Sequence, residues 1–175
     1  LVSSLREGIL ERYSPAGLPD RSAELYHLYC VRCLACMGEY VECLGPILKD
    51  RGVELCLELL KMGRHRPPCL STLLSLISSL LAHRKYACIF VEQGGVAALL
   101  DLPETAEAAL GVSACLFGLS SQQEALELAC GRGSEEECDR MARAAVKHAS
   151  SGLDPCRRNA ALFLAEALRY QRVVR

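Results

Sequence analysis

The sequence predicts an all-α protein of stacked helical repeats, and three observations carry that prediction. Leucine and alanine dominate a composition that is 51% apolar, with no tryptophan and three phenylalanines. That balance favours helix over strand, because unbranched side chains lose little freedom in a helix. Sustained alternation of apolar and polar residues, the mark of a half-buried strand, is absent. Finally, helical segments recur. Val53, Leu57 and Leu59 of RGVELCLELL return as Val96, Leu100 and Leu102 of GGVAALLDL at an offset of 43. Ile77 and Leu80 return as Leu116 and Leu119 at an offset of 39. The four-residue difference falls in the connection between helices, where changes of length are tolerated. A looser third copy is RMARAAVKHAS followed by NAALFLAEAL. Units of about forty residues, each unable to bury its apolar faces alone, are the signature of armadillo or HEAT arrays, an α-solenoid.

Taken in order, helical patterns fall at about 1–13, 21–37, 39–50, 53–62, 69–82, 84–93, 96–102, 105–120, 122–130, 135–150 and 155–174. The breaks have recognisable chemistry. SPAGLPD ends in Asp20, a good N-cap. RHRPP stops one helix and leaves Pro68 for the first turn of the next. Gly94-Gly95 is a structural turn, closing a helix where the left-handed conformation is expected. Asp154-Pro155 reads as an N-cap followed by proline at the first helical position. GRGSEEEC, the most polar stretch, reads as a loop entering a helix, with Glu135, Glu136 and Glu137 placed well at its positive end. We take 1–175 as one armadillo-like domain fragment, with flanking helices over 1–36 and repeats over about 37–175.

Charge and cysteine usage narrow the function classes. The net charge is −1 with signs interspersed, so no long-range field steers the chain to nucleic acid or an anionic membrane. LSTLLSLISSLLA, the longest apolar stretch, spans 13 residues including five Ser/Thr, too short to cross a bilayer. Eleven cysteines, an odd number at apolar positions of helical runs, behave as small hydrophobes in a reducing compartment rather than as a disulfide framework.

The run H-x2-C-x2-C-x2-C from His27 to Cys36 invites a metal reading. In a helix each three-residue step turns about 300° and rises about 4.5 Å, so the four side chains drift halfway round the cylinder while climbing roughly 13.5 Å. One ion with ligand distances near ~2.0–2.3 Å does not collect them. No cofactor and no metal are expected. His83, after an apolar helix, suits a contact to a helix C-terminus. The glycines of VEQGGVAAL do not make a phosphate-binding loop, and kinase signatures are missing. No catalytic constellation emerges.

LLSLISSLLAHRKYACIFVEQGGVAALLDLP followed by ALGVSACLFGLSSQQEALELAC resembles the N-terminal armadillo-like region of the Vpr-binding protein family. MGEYVECLGPIL upstream and the segment from Lys147 to Arg175 fit the same region in order. The likeness is sharpest from Leu81 to Ser121 and weak over 1–36 and at GRGSEEEC. It implies a fragment of a substrate receptor of the cullin-4 RING ubiquitin ligase: a large, mainly nuclear protein, its cytoplasmic occurrence left open, with a LisH helix and a WD propeller beyond these repeats. In that family the propeller region docks the ligase adaptor, so this chain supplies shape and surface rather than ubiquitin chemistry. Partners are then other proteins, including self-association.

Peptide-gripping armadillo proteins line a groove with asparagines placed just before the last leucine of each repeat. Taking Leu80, Leu119 and Leu168 as that leucine puts Ser79, Gly118 and Ala167 at the groove positions. The asparagine ladder is missing, which disfavours an extended peptide held through its backbone. Together with the basic pairs Arg84-Lys85 and Arg157-Arg158, these three are the candidate protein-binding residues. The rival readings are a free-standing armadillo adaptor or transport receptor, and a thiol- or metal-dependent enzyme.

Overall fold

The computed structural model describes Val2 and residues 21–63, 67–132 and 134–170. The expected helix over 1–13, the Asp20 cap and Arg64-His65-Arg66 lie outside those residues. Among the described residues there is no strand. Across the described residues from Arg21 onward ten α-helices follow one another: α1 (Arg21–Met37), α2 (Val41–Lys49), α3 (Gly52–Gly63), α4 (Pro67–Leu81), α5 (Arg84–Glu92), α6 (Gly95–Leu100), α7 (Ala106–Ser120), α8 (Gln123–Glu127), α9 (Glu135–Ala149) and α10 (Asp154–Ala167). A π-helical turn, Leu128–Arg132, continues α8.

Local chemistry sets the boundaries. Prolines at 67 and 68 open α4, where their missing N–H groups would be unpaired in any case. The Thr105 side chain accepts from the Ala108 N–H at 3.2 Å and starts α7. Ser134 accepts from the Glu137 N–H at 3.0 Å and starts α9. Gly94, with φ of 78°, ends α5, and its N–H donates to the Val91 carbonyl at 3.0 Å. Two expectations need correction. Leu153, not Asp154, is the N-cap of α10; Asp154 sits inside the first turn, where it pairs with Arg157. The helix expected to end near 130 runs as α-helix only to Glu127 and then widens into the π turn.

Packing follows the sequence period. Helices three apart in the chain lie side by side, so α1, α4, α7 and α10 form one row. A second row is α3, α6 and α9, and α5 lies against α8 and the π turn in a third. Polar contacts between helices of the same row or of neighbouring rows join residues 39 to 46 apart in sequence. Tyr86 of α5 donates to the Leu44 carbonyl of α2 at 2.5 Å, tying the third row together. Of the repeated positions, Val53/Val96, Ile77/Leu116 and Leu80/Leu119 are buried alike, whereas Leu57 and Leu102 are buried and their counterparts Leu100 and Leu59 only partly so. Val53 and Val96 are 3% and 2% exposed, and Ile77 and Leu116 are each 1%.

Helix α4 explains why the apolar stretch is core. It has α1 on one flank, α7 on the other and α3 behind. Its Leu70, Leu73, Leu74, Leu76, Ile77, Leu80 and Leu81 are all buried, each contributing about 1.5–3 kcal/mol relative to exposure. No single helix among the described residues is long and apolar enough to cross a membrane.

Candidate interaction surface

The first site read from the sequence, the cysteine run of α1, lies on one continuous helix. Cys30 is buried, whereas Cys33 and Cys36 are exposed. Among the described residues no group of three or more His, Cys, Asp or Glu side chains could hold a metal ion. The buried thiols are shielded rather than activated. Burial pushes the Cys56 thiol up to about 12 and raises Cys115 as well. Cys130 is pushed up to about 12 by burial, with the neighbouring Cys138 adding to the effect. A thiolate is the nucleophile, so these groups are poorly suited to covalent chemistry near neutral pH.

Ser79, Gly118 and Ala167 lie in the packing between row-one helices and not on an open groove. Ser79 is half-buried and donates to the Leu76 carbonyl of its own helix at 2.8 Å. A β-carbon on Gly38, at the end of α1, would meet its Oγ at 2.8 Å. Gly118 is buried against α4, where a β-carbon would come within 3.3 Å of Leu81 Cβ. Ala167 is 0% exposed while Leu168 is 53% exposed. The burial pattern of α7 at Ala108, Val112, Cys115 and Leu119 therefore continues in α10 as Cys156, Ala160, Phe163 and Ala167. Ala167, not Leu168, takes the leucine position, and the last copy is one residue out of the register read from sequence. The stretch between α7 and α10 is longer than that between α4 and α7 and holds the π turn.

The basic pairs are exposed and separate, on α5 and α10. Arg84 pairs with Glu124 across the third row, and this carboxylate, bonded to the guanidinium, raises its pKa. Lys85 lies exposed beside it. Arg157 pairs with Asp154 and reaches the Ser151 carbonyl at 3.4 Å, while Arg158 is exposed. Exposed pairs of this kind are weak.

Sequence reasoning missed one concavity. A groove of about 820 Å³ opens between the α6–α7 connection and α9, floored by Leu99, Leu102, Ala108 and Val112. Arg140, Arg143, Lys147 and His148 line it from α9. Arg140 reaches Asp101 at 2.6 Å and Lys147 pairs with Glu104, joining the two walls. His148 is half-buried; burial, and Lys147 beside it, lower its pKa despite the opposing Glu104. The signal was present in sequence as bases three and four apart on one helix face, but the opposite wall lies 39 to 43 residues away.

The Mahjong helical domain matches residues 19–132. The chain belongs to the Mahjong helical domain family. Its resemblance to the Vpr-binding proteins thus holds, and the relatives agree. It is 35% identical over 92% of its length to a DDB1- and CUL4-associated factor homolog 1 of Arabidopsis thaliana. A protein of the same name in Caenorhabditis elegans is 28% identical over 88% of the chain. Protein mahjong of Drosophila melanogaster is 31% identical over 65%. The chain spans 9%, 9% and 7% of those relatives, respectively.

Proposed function

We propose that this chain is a non-catalytic scaffold segment of a cullin-4 ligase substrate receptor, acting in protein ubiquitination through substrate recruitment or complex assembly in the nucleus. Membership of the Mahjong helical domain family, whose relatives carry the name DDB1- and CUL4-associated factor, is the observation that carries the reading. Two features support the scaffold role. The thiols with raised pKa are poor nucleophiles, and the polar contacts at offsets of 39 to 46 residues join one unit to the next. In this reading α2–α3–α4, α5–α6–α7 and α8–α9–α10 are three armadillo-like units of an α-solenoid, preceded by the last helix of a fourth. Rigid stacking of that kind gives an elongated surface, which suits docking of a folded partner.

The test is affinity capture with the intact protein that carries this chain. Recovery of DDB1 and cullin-4 is the expected result, and it should survive internal deletion of this region if the adaptor docks elsewhere. Substrate ubiquitination or assembly size should change in the same deletion. Failure to recover either ligase component with the intact protein would overturn the reading.

A further inference from the structure

We infer that the groove between the α6–α7 connection and α9 docks an acidic segment of another protein carrying a bulky apolar side chain. The inference does not rest on the ligase reading; it follows from the floor, the walls and their charge. The floor is apolar and already buried: Leu99, Leu102, Ala108 and Val112 are 3%, 8%, 2% and 6% exposed. Leu153, at 42% exposed, stands on the rim. At about 820 Å³ the groove falls within the size of ordinary binding sites, about 300–1,000 Å³. It has room for more than one side chain, and an apolar group set on that floor would be removed from water.

Charge selects the sign of what surrounds the anchor. Arg140, Arg143 and Lys147 are spaced three and four residues apart, which puts them in one stripe along α9 facing the groove. Asp101 and Glu104 face Arg140 and Lys147 from the other wall. Three cations against two carboxylates leave one positive charge in excess. Arg143 lies between the two ion pairs in sequence, and its Nε donates to the Asp139 carbonyl of its own helix at 3.3 Å. No carboxylate pairs with it among the described residues. Arginine offers several donors in a fixed fork suited to a carboxylate. The flanking pairs are open to solvent, with side chains 36%/41% and 59%/79% exposed. Pairs so exposed are weak, so an incoming carboxylate can replace Asp101 or Glu104 at small cost. A basic segment would meet the excess charge unfavourably. A nucleic acid would gain from three cations but would leave the apolar floor unused.

The test selects a random-peptide library on the intact protein, then titrates the recovered peptides against wild type, Arg143→Glu and Lys49→Glu, the last a charge reversal on the distant α2. Recovered peptides are expected to combine Asp/Glu with Leu or Phe. They should bind Arg143→Glu about tenfold more weakly, roughly 1.4 kcal/mol, and bind Lys49→Glu unchanged. A peptide with lysine in place of its acids should prefer Arg143→Glu to wild type. If Arg143→Glu melts at a lower temperature than wild type, Arg143→Ala takes its place and must show the same direction of loss. Selection of basic or uncharged peptides, equal binding to both Arg143 variants and wild type, no recovered peptide, or tighter binding of single-stranded DNA would each overturn the inference.

Discussion

His83 and Gln122 occupy the same position of successive units and make the same contact. Each is the N-cap of its helix, α5 or α8, and each side chain reaches back past the nearest row-one helix to the carbonyl just beyond the one before it, α1 or α4. His83 Nε2 lies 3.2 Å from the Gly38 oxygen, so that nitrogen carries the proton and donates. Gln122 Nε2 donates to the Ala82 oxygen at 2.7 Å. Carbonyls at helix ends have no partner within the helix, and these side chains supply one across the unit boundary. His83→Gln should therefore be tolerated, whereas His83→Ala and Gln122→Ala should each cost about 1 kcal/mol. Urea melts of the three variants check this; equal stability of His83→Ala and wild type would refute the capping role.

The close approach of α4 and α7 runs through Gly111. A β-carbon there would lie 2.5 Å from Leu74 Cβ, and Leu74 is wholly buried. Gly111→Ala gains about 1 kcal/mol in helix propensity but overpacks a core contact at about 1–3 kcal/mol. Because the clash involves Cβ rather than a mobile chain end, the second effect should win and Tm should fall. Leu74→Ala alone should cost about 2–5 kcal/mol through the cavity it leaves. The double variant keeps the overlap with Cβ, which alanine retains, and sheds only that with Leu74 Cγ and Cδ1, so it should cost only slightly less than the two singles summed. Simple additivity would show that the two helices part instead of repacking.

Most helices were legible because proline, glycine and apolar period coincide at their ends. Pro67-Pro68, Gly94 and the leucines of α4 and α7 each carry an independent local signal. The illegible features lack one. Arg51 takes a positive φ of 61° between α2 and α3, a conformation a non-glycine residue gives no notice of. The π turn at Leu128–Arg132 shares its composition with a helix. Ser134 caps α9 from within a stretch read only as polar. The groove was illegible for a different reason: its two walls meet only when one unit stacks on the next.

Gly94 and Gly95 should respond differently to the same added methyl. Nothing lies within 4 Å of a β-carbon on Gly94, so Gly94→Ala bears only the cost of φ at 78°, about 1–2 kcal/mol. A β-carbon on Gly95 would collide with the Phe90 ring, which is 3% exposed. Gly95→Ala therefore strains the core as well as the turn entry. Phe90→Leu should relieve part of the Gly95→Ala loss and none of the Gly94→Ala loss. Thermal melts of the two singles and the two doubles separate backbone strain from steric overlap. If Phe90→Leu rescued both glycine variants equally, the distinction would fail.

Buried thiols make the fold sensitive to alkali in a direction that can be worked out. Cys56 is held at about 12 by burial against an ordinary 9.0, and Cys130, held at about 12 by burial and Cys138, behaves alike. Between those values the unfolded chain has lost the proton and the folded chain retains it. The unfolded state then binds fewer protons, so stability falls as pH rises. Each such thiol contributes a slope of up to about 1.4 kcal/mol per pH unit in that window and none well below it. Cys56→Ala should flatten the alkaline limb of the stability profile while lowering its neutral plateau through the lost packing. Exposed Cys33 and Cys36 should react with a thiol reagent at once in the native protein, and Cys56, Cys115 and Cys130 only on unfolding. Prompt labelling of Cys56 at neutral pH would place it outside the core and remove the basis for the alkaline slope.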